Sequence, residues 1–454
     1  MGLRLYDTFS RSVRDFTPRI PGIVSLYLCG PTVVVPPHVG QIRSQVNFDI
    51  LHRWLRHLNY QVLFCRNVTD IEDKIISRSL SEGVHWWRIT DPVYRSFTRT
   101  YEALGCLPPS VEPLATGHIP EMIELVEQLL GSGNAYEADG DVYFSVDSFP
   151  PYGALSGQRP DQMRGTEENS HGKRDPRDFA LWKRARPGEP IWTAPWGEGR
   201  PGWHLECSAM ARKYLGREFD IHGGGANLIF PHHENEIAQS RAAGDEFARF
   251  WIHNGPVTHR GEKIRKVVKN PMAVHTLLRR IRPVELRYYL AAAHYRSPME
   301  FSVAAVEEAA TAFRRVERFV HRVAERPADR LPAQFSEAMA NDLNVPQALS
   351  RVHAAVNEGN AALDSGDPKL AAEKCGEVRA MLEILGLDPL AENWARETRL
   401  REVAGAVLHV VRNLAETSAA EGELDRAHAL HHQIDSALIG NVVINRRMNH
   451  RLPV

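Results

Sequence analysis

The sequence has neither a long apolar run nor an excess of charge of one sign. No stretch of its 454 residues approaches the ~20 consecutive apolar positions that a membrane-spanning helix needs. Met1 to Arg19 alternates charged and apolar residues and has no apolar segment of the kind found in secretory leaders. A cytoplasmic protein without a membrane is therefore expected. Lys+Arg 55 against Asp+Glu 56 leaves a net charge of -1, which excludes a globally basic nucleic-acid binder; any such partner must be held by a local basic patch. The five cysteines, at 29, 65, 106, 207 and 375, are odd in number and scattered. That excludes a compact disulfide framework and leaves metal ligation or burial. What is present is an ordinary globular composition, 43% hydrophobic and 24% charged, in a chain long enough for about three structural units. There is no internal repeat and no low-complexity tract.

Val24 to Cys29 reads as a short apolar strand. After the Pro36-Pro37 turn, Ile42, Val46, Ile50, Leu51, Leu55 and Leu58 share one helical face, and Gln61 to Val68 reads as a second strand. Strand, helix and strand in this order form the unit of a parallel sheet, so an α/β fold class is expected. A helix from Ile119 leads to Ala135–Ser145, where Asp139-Gly140 between alternating residues signals a hairpin. Gly165 to Gly172 is polar and is expected to be a mobile loop. The tryptophan- and proline-rich stretch from Trp192 to Trp203 is expected to form turns. Beyond Ser302 the period becomes helical, with Val303, Val306, Phe313, Val316, Val320 and Val323 in one stripe. Pro327, Pro332, Pro346, Pro368 and Pro389 fall where helices would be interrupted or joined, so the last third is expected to be a helical bundle.

Chemistry begins at Cys29-Gly30-Pro31-Thr32, at the carboxyl end of the first strand, and at His38-Val39-Gly40-Gln41, which opens the helix. A helix amino terminus presents free N–H groups and the positive end of a dipole. Gly40 lets a ligand approach the backbone, and His38 can donate to a phosphate. A capping or surface histidine would read the same way. More specific are Gly202-Trp203-His204-Leu205-Glu206-Cys207-Ser208-Ala209-Met210, then Phe219-Asp220-Ile221-His222-Gly223-Gly224-Gly225, then Phe230-Pro231-His232-His233-Glu234-Asn235-Glu236. On a helix His232 and Glu236, four apart, project from one face. With the thiolates of Cys29 and Cys207 they would complete a zinc set of two sulfur, one nitrogen and one oxygen donor. Two buried cysteines and a salt-bridged helix would satisfy the same pattern.

Together with Asn67-Val68-Thr69-Asp70-Ile71-Glu72-Asp73-Lys74 and Lys173 to Phe179, these blocks closely resemble cysteinyl-tRNA synthetase, a class I aminoacyl-tRNA synthetase. The resemblance runs to about Ser302 and is fainter beyond. It implies a Rossmann-type catalytic domain with a connective insertion, followed by α-helical carboxyl-terminal domains. Residues 1–112 and 200–250 would be the two halves of the core, 113–199 the insertion, and 251–302 a junction bearing a lysine loop. Residues 303–390 would be a helical bundle and 391–454 a divergent tRNA-binding-like region. The activity implied is ATP-dependent conversion of L-cysteine to cysteinyl-AMP and transfer of cysteine to tRNA(Cys), by a monomer, with Mg2+ accompanying ATP. The ligands implied for Zn2+ are Cys29, Cys207, His232 and Glu236. A soft thiolate bonds zinc well and a hydroxyl poorly, which would separate cysteine from serine. Thr32, Thr69 and Trp203 would line the amino-acid pocket and His222 would close it. His38, Gly40, Gln41, Gly224, Asn227, Lys263 and Lys266 would hold ATP, with His38, Lys263 and Lys266 acting in catalysis.

The chain departs from the family pattern at several of these positions. Gln41 stands in place of the second histidine of the His-Ile-Gly-His signature, and Asn227 in place of an aspartate. Lys263-Ile264-Arg265-Lys266-Val267 keeps both lysines of the Lys-Met-Ser-Lys-Ser loop and neither serine, and Lys269 replaces a glycine. The terminal acidic–Thr–Pro–Gly–Trp pattern is missing, and Arg446, Arg447 and Arg451 stand in that region instead, suited to phosphate contacts. Two alternatives follow: a cysteine-activating paralogue with another acceptor, such as an amino-sugar or a carrier protein, and a catalytically silent zinc- and cysteine-binding homologue. Cysteine-dependent ATP–pyrophosphate exchange separates the silent protein from either enzyme.

Overall fold

The computed structural model describes residues 2–159, 172–263 and 273–394. The expected loop before Gly172, Arg265, Lys266, and the arginines near the carboxyl end lie outside the described residues. Among the described residues no helix is long and apolar enough to cross a membrane.

An antiparallel ribbon of β1 (Arg4–Asp7) and β2 (Ser12–Asp15) precedes the core. The expected strand–helix–strand unit is β3 (Ile23–Leu28), α1 (Val39–His57) and β4 (Gln61–Arg66). α1 stops at Leu58 because Asn59 takes a left-handed φ of 64°, a conformation asparagine tolerates better than most residues. α2 (Asp73–Glu82) and α3 (Trp86–Ala103) follow, separated by Gly83, whose φ of 63° closes α2.

The insertion contains α4 (Ile119–Gly131) and an antiparallel sheet of β5 (Ala135–Ala138), β6 (Asp141–Phe144), β7 (Phe179–Arg184), β8 (Trp192–Ala194) and β9 (Gly197–Pro201). Its strand order is β5-β6-β7-β9-β8. Asp139 and Gly140 both have positive φ, as the expected two-residue hairpin requires. Trp192 to Trp203, expected as turns, is largely strand: β8 and β9 pair across Pro195-Trp196, and β9 pairs with β7. That pairing reaches back to a distant segment, so local glycine and proline content does not reveal it.

The core resumes with α5 (Trp203–Leu215), β10 (Glu218–Gly225), α6 (Glu234–Ala242) and β11 (Phe247–Asn254). The central sheet is wholly parallel, in the order β11-β10-β3-β4. Strand alternation sends Val24, Leu26, Leu28 and Phe64 to the core shared with the helical domain, and Tyr27 and Cys65 to the core beneath the insertion. Both faces are covered, as a parallel sheet demands. The direction of winding reverses between β3 and β10. A crevice therefore opens beyond their carboxyl ends, where the Cys29 N–H donates to the Gly223 carbonyl at 3.0 Å.

A small junction sheet, β12 (Val257–His259), β13 (Glu262–Lys263) and β14 (Met299–Glu300), encloses α7 (Val274–Leu277) and α8 (Pro283–Ala292) in sequence. The expected bundle follows as α9 (Val303–Val323), α10 (Ala333–Ala340), α11 (Val345–Asp364) and α12 (Pro368–Leu385). Pro346 and Pro368 sit in first turns, where a missing N–H costs nothing. Buried Arg287 of α8 ties bundle to core. Its guanidinium meets Asp49 Oδ2 at 2.5 Å and donates to the carbonyls of Leu104 and Leu385.

Candidate active site and metal centre

At the switch point lies a cavity of about 360 Å³. The Cys29–Thr32 turn leaves β3, Asn67 and Thr69 leave β4, Trp203 and Cys207 come from the first turns of α5, Gly225 ends β10 and Asn227 follows it; all line it. An isolated bridge between Thr32 and Thr69 holds the first two segments side by side. Gly30 is obligatory there, because a Cβ would lie 1.6 Å from the Asn67 carbonyl oxygen. In return the Gly30 N–H donates to Asn67 Oδ1 at 2.8 Å.

At the cavity's base four donors converge. Cys29 Sγ lies 3.6 Å from Cys207 Sγ and 3.6 Å from Glu236 Oε1. His232 Nε2 lies 3.6 Å from Cys207 Sγ and 3.1 Å from Glu236 Oε1. A tetrahedral zinc would space its donors by about 3.8 Å for two sulfurs, about 3.6 Å for sulfur with nitrogen or oxygen, and about 3.4 Å for nitrogen with oxygen. These four distances agree with those spacings to within about half an ångström, and all four donor atoms lie within 4.8 Å of one another. A second grouping, Cys29, His222, His233 and Glu236, fits less well. Its His222 Nε2 and Glu236 Oε2 are 2.7 Å apart, a hydrogen bond rather than the spacing of two ligands.

Three of the four donors are aimed by a neighbour, as metal ligands generally are. The His232 ring stacks on Trp203 at 4.2 Å, and its Nδ1 meets His204 Nδ1 at 2.9 Å, which leaves Nε2 for the centre. Glu236 gives Oε2 to His222 and keeps Oε1 for the centre. Cys29 Sγ is met by His233 Nε2 at 3.2 Å; His233 Nδ1 meets His253 Nε2 at 2.7 Å, and His253 Nδ1 meets Thr8 Oγ1 at 2.8 Å. Burial pushes His204 and His253 down to about 3, and pushes His232 and His233 well below the usual imidazole range. These rings are therefore neutral at pH 7, the state a ligand or its hydrogen-bond partner needs. Burial also raises the thiols of Cys29 and Cys207 and the carboxyl of Glu236. A bound cation reverses that preference by favouring the thiolates.

On the other side of the cavity His38 caps α1, its N–H donating to Gln41 Oε1 at 3.2 Å. The His38 ring lies over Gly40, where a Cβ would stand 3.3 Å from Nδ1. His38, Gly40 and Gln41 all line the cavity. Gly224 does not; a Cβ there would meet His233, and Gly225 is the neighbour that forms the wall. His222 is wholly buried behind the donors and stacks on Trp251 at 4.5 Å. Lys263 ends β13 in the junction sheet, and Lys266 lies outside the described residues.

Residues 15–311 match the catalytic domain of the class I (C) tRNA synthetases, and residues 334–390 match the DALR domain. The chain is 53% identical over 448 residues to a cysteine–tRNA ligase of Streptomyces avermitilis, covering 96% of each chain. It is 52% identical over 448 residues to a cysteine–tRNA ligase of Streptomyces griseus subsp. griseus, with the same coverage. The chain belongs to the cysteinyl-tRNA synthetase family. The fold also resembles a solved structure, Mycobacterium tuberculosis methionyl-tRNA synthetase in complex with methionyl-adenylate, with a TM-score of 0.57 at 14% identity, covering 82% of this chain and 92% of that one.

Within this synthetase the four nominated metal ligands come together, and Thr32, Thr69 and Trp203 share one cavity with His38, Gly40, Gln41 and Asn227. Sequence reading missed the orienting groups His204, His233 and His253, and also Glu206, which is wholly buried and accepts from Thr69 Oγ1. His204, Glu206 and His233 lie inside the quoted motifs, and that proximity was the available signal. His253 and Thr8 had none.

Proposed function

We propose that this enzyme condenses L-cysteine with ATP to cysteinyl-AMP, releasing pyrophosphate, and passes the cysteinyl group to the terminal adenosine of tRNA(Cys). The convergence of Cys29, Cys207, His232 and Glu236 at metal-ligand spacing at the base of the cavity carries this reading. Cys29, Cys207, His232 and Glu236 would hold a zinc that, by accepting a further ligand, would bond a thiolate far better than a hydroxyl. The chain's own residues do the rest. Thr32, Thr69 and Trp203 enclose the cysteine, His222 holds Glu236 in place, and burial keeps water from the donors. The amino terminus of α1, with His38, Gly40 and Gln41, faces the ATP phosphates and their Mg2+. Gly225 and Asn227 border the nucleoside. As the cysteine carboxylate attacks the α-phosphorus and pyrophosphate leaves, charge builds on the departing oxygens, and Lys263 and Lys266 offset it.

A monomeric enzyme in the cytoplasm belongs to the same proposal, since a reducing compartment suits an enzyme that needs free thiols. We divide the chain as core 1–112 and 200–250, insertion 113–199, junction 251–302, bundle 303–390 and tRNA-binding-like region 391–454. The deciding experiment is cysteine-dependent ATP–pyrophosphate exchange followed by charging of a tRNA(Cys) transcript. Cysteine but not serine should drive exchange, and the transcript should be charged. Lys266→Ala should slow adenylate formation strongly and leave cysteine affinity nearly intact. Exchange without charging would point to another acceptor, and no exchange would refute the enzyme.

A further inference from the structure

We propose that Glu206 is a positioning residue for amino-acid recognition: it fixes the Thr69 hydroxyl so that a lone pair faces the cavity and accepts from the α-ammonium of cysteine. This role rests on the cysteine-activating reading above and extends it to a residue behind the cavity wall. Glu206 sits one residue before Cys207 on α5, is fully buried, and accepts from Thr69 Oγ1 through Oε2 at 2.8 Å. Thr69 Oγ1 in turn accepts from Asn67 Nδ2 at 3.3 Å, and Asn67 is held by the Gly30 N–H. A hydroxyl has one proton and two lone pairs. The proton goes to Glu206 and one lone pair to Asn67, so toward a ligand Thr69 can only accept.

Of the three polar groups of cysteine, the thiolate and the carboxylate are acceptors and only the ammonium donates. With the thiolate at the donor cluster and the carboxylate toward His38, the ammonium is the group left for the Thr69 wall. Glu206 Oε1 is buried with no partner among the described residues. A buried carboxyl with one satisfied oxygen is a poor structural device, because apolar replacements of such groups are often neutral or stabilising. Its use is to direct one proton.

The test compares cysteine with 3-mercaptopropionate, which has the thiol and the carboxylate but no ammonium, by calorimetric binding to the zinc-loaded full-length enzyme. Glu206→Leu should weaken cysteine by roughly 10–100-fold and 3-mercaptopropionate by no more than about threefold, with metal content unchanged. Glu206→Gln keeps an acceptor and should recover most of the loss. Thr69→Val leaves α5 untouched and should reproduce the selective loss, whereas Thr69→Ser should not. Parallel weakening of both ligands in Glu206→Leu and Thr69→Val would mark a merely structural role and overturn the proposal, as would unchanged cysteine affinity in either variant. Wild-type enzyme that bound cysteine no better than 3-mercaptopropionate would also overturn it. Selective binding without cysteine-dependent exchange would instead fail the functional reading alone and leave the Glu206 assignment upheld.

Discussion

Gly30→Ala tests how tightly the cavity wall determines the metal centre. Gly30 follows the ligand Cys29 directly, and its missing side chain is what lets the ends of β3 and β4 touch. An added Cβ would sit 1.6 Å from the Asn67 carbonyl oxygen, 2.7 Å from the carbonyl carbon and 3.3 Å from Arg66 Cγ. The first two neighbours are backbone and cannot rotate away, so the wall must open by roughly 1.4 Å to restore a tolerable contact. Donor positions in a metal site tolerate only about 0.2 Å. Overpacking of this size costs about 1–3 kcal/mol and need not unfold the protein. Cys29 moves with Gly30, however, and a misplacement of about 1 Å at reacting groups costs on the order of 100-fold in rate. The expected variant is folded, loses metal on dialysis, and shows cysteine-dependent pyrophosphate exchange reduced about 100-fold or more. Gly117→Ala, where a Cβ meets nothing within 4 Å, is the control. Full metal content with exchange within about twofold of wild type would refute the construction of the site described above.

Three further outcomes follow from the same structure. Arg287→Met should cost about 3–5 kcal/mol, because Asp49 stays buried without its main partner, and adding Asp49→Asn should recover part of the loss. Urea unfolding and hydrogen exchange in α8 and α12 measure this, and a single-variant cost below about 1 kcal/mol would sink the latch. His52, pushed down to about 4 chiefly by burial and partly restored by Asp49, titrates near 6.5 when unfolded. The stability it lends above pH ~6.5 is thus lost as pH falls toward ~4, by at most ~3 kcal/mol. His52→Phe should flatten unfolding free energy across that window, and an unchanged slope would exclude the residue. Metal binding must displace protons from Cys29 and Cys207, whose thiols burial raises. Metal affinity, measured by chelator competition, should therefore rise with pH, and a flat profile would contradict thiolate ligation.

The β3–α1–β4 unit was legible in the sequence because a helix and two buried strands write their periods into contiguous residues, and α9 was legible for the same reason. The strands β8 and β9 were not, since what makes Gly197–Pro201 a strand is its pairing with Lys183 and its neighbours. The exchange of Gly224 for Gly225 at the cavity wall is a one-residue matter of strand facing, which a run of three glycines cannot signal because it carries no alternation.

The candidate site divides along a similar line. Cys29, Cys207, His232 and Glu236 could be nominated because their motifs resemble the family's, and donor chemistry and the i,i+4 pairing of His232 with Glu236 are consistent with that set. The groups that aim those donors are restricted far less. His204 serves His232, His233 serves Cys29, and His253 serves His233, each through one ring nitrogen at 2.7–3.2 Å. Many residue types could fill such a place. What selects a histidine is the space left between Trp203, Trp251 and the donor it faces, where the rings of His204, His233 and His253 lie 5.1–6.4 Å from a tryptophan. That space exists only after β10, β11 and α5 have assembled. The His232–Glu236 pair is therefore legible from spacing and the two cysteines from the resemblance of their motifs, whereas the orienting partners are legible only from the packing that the ligands and the sheet create together.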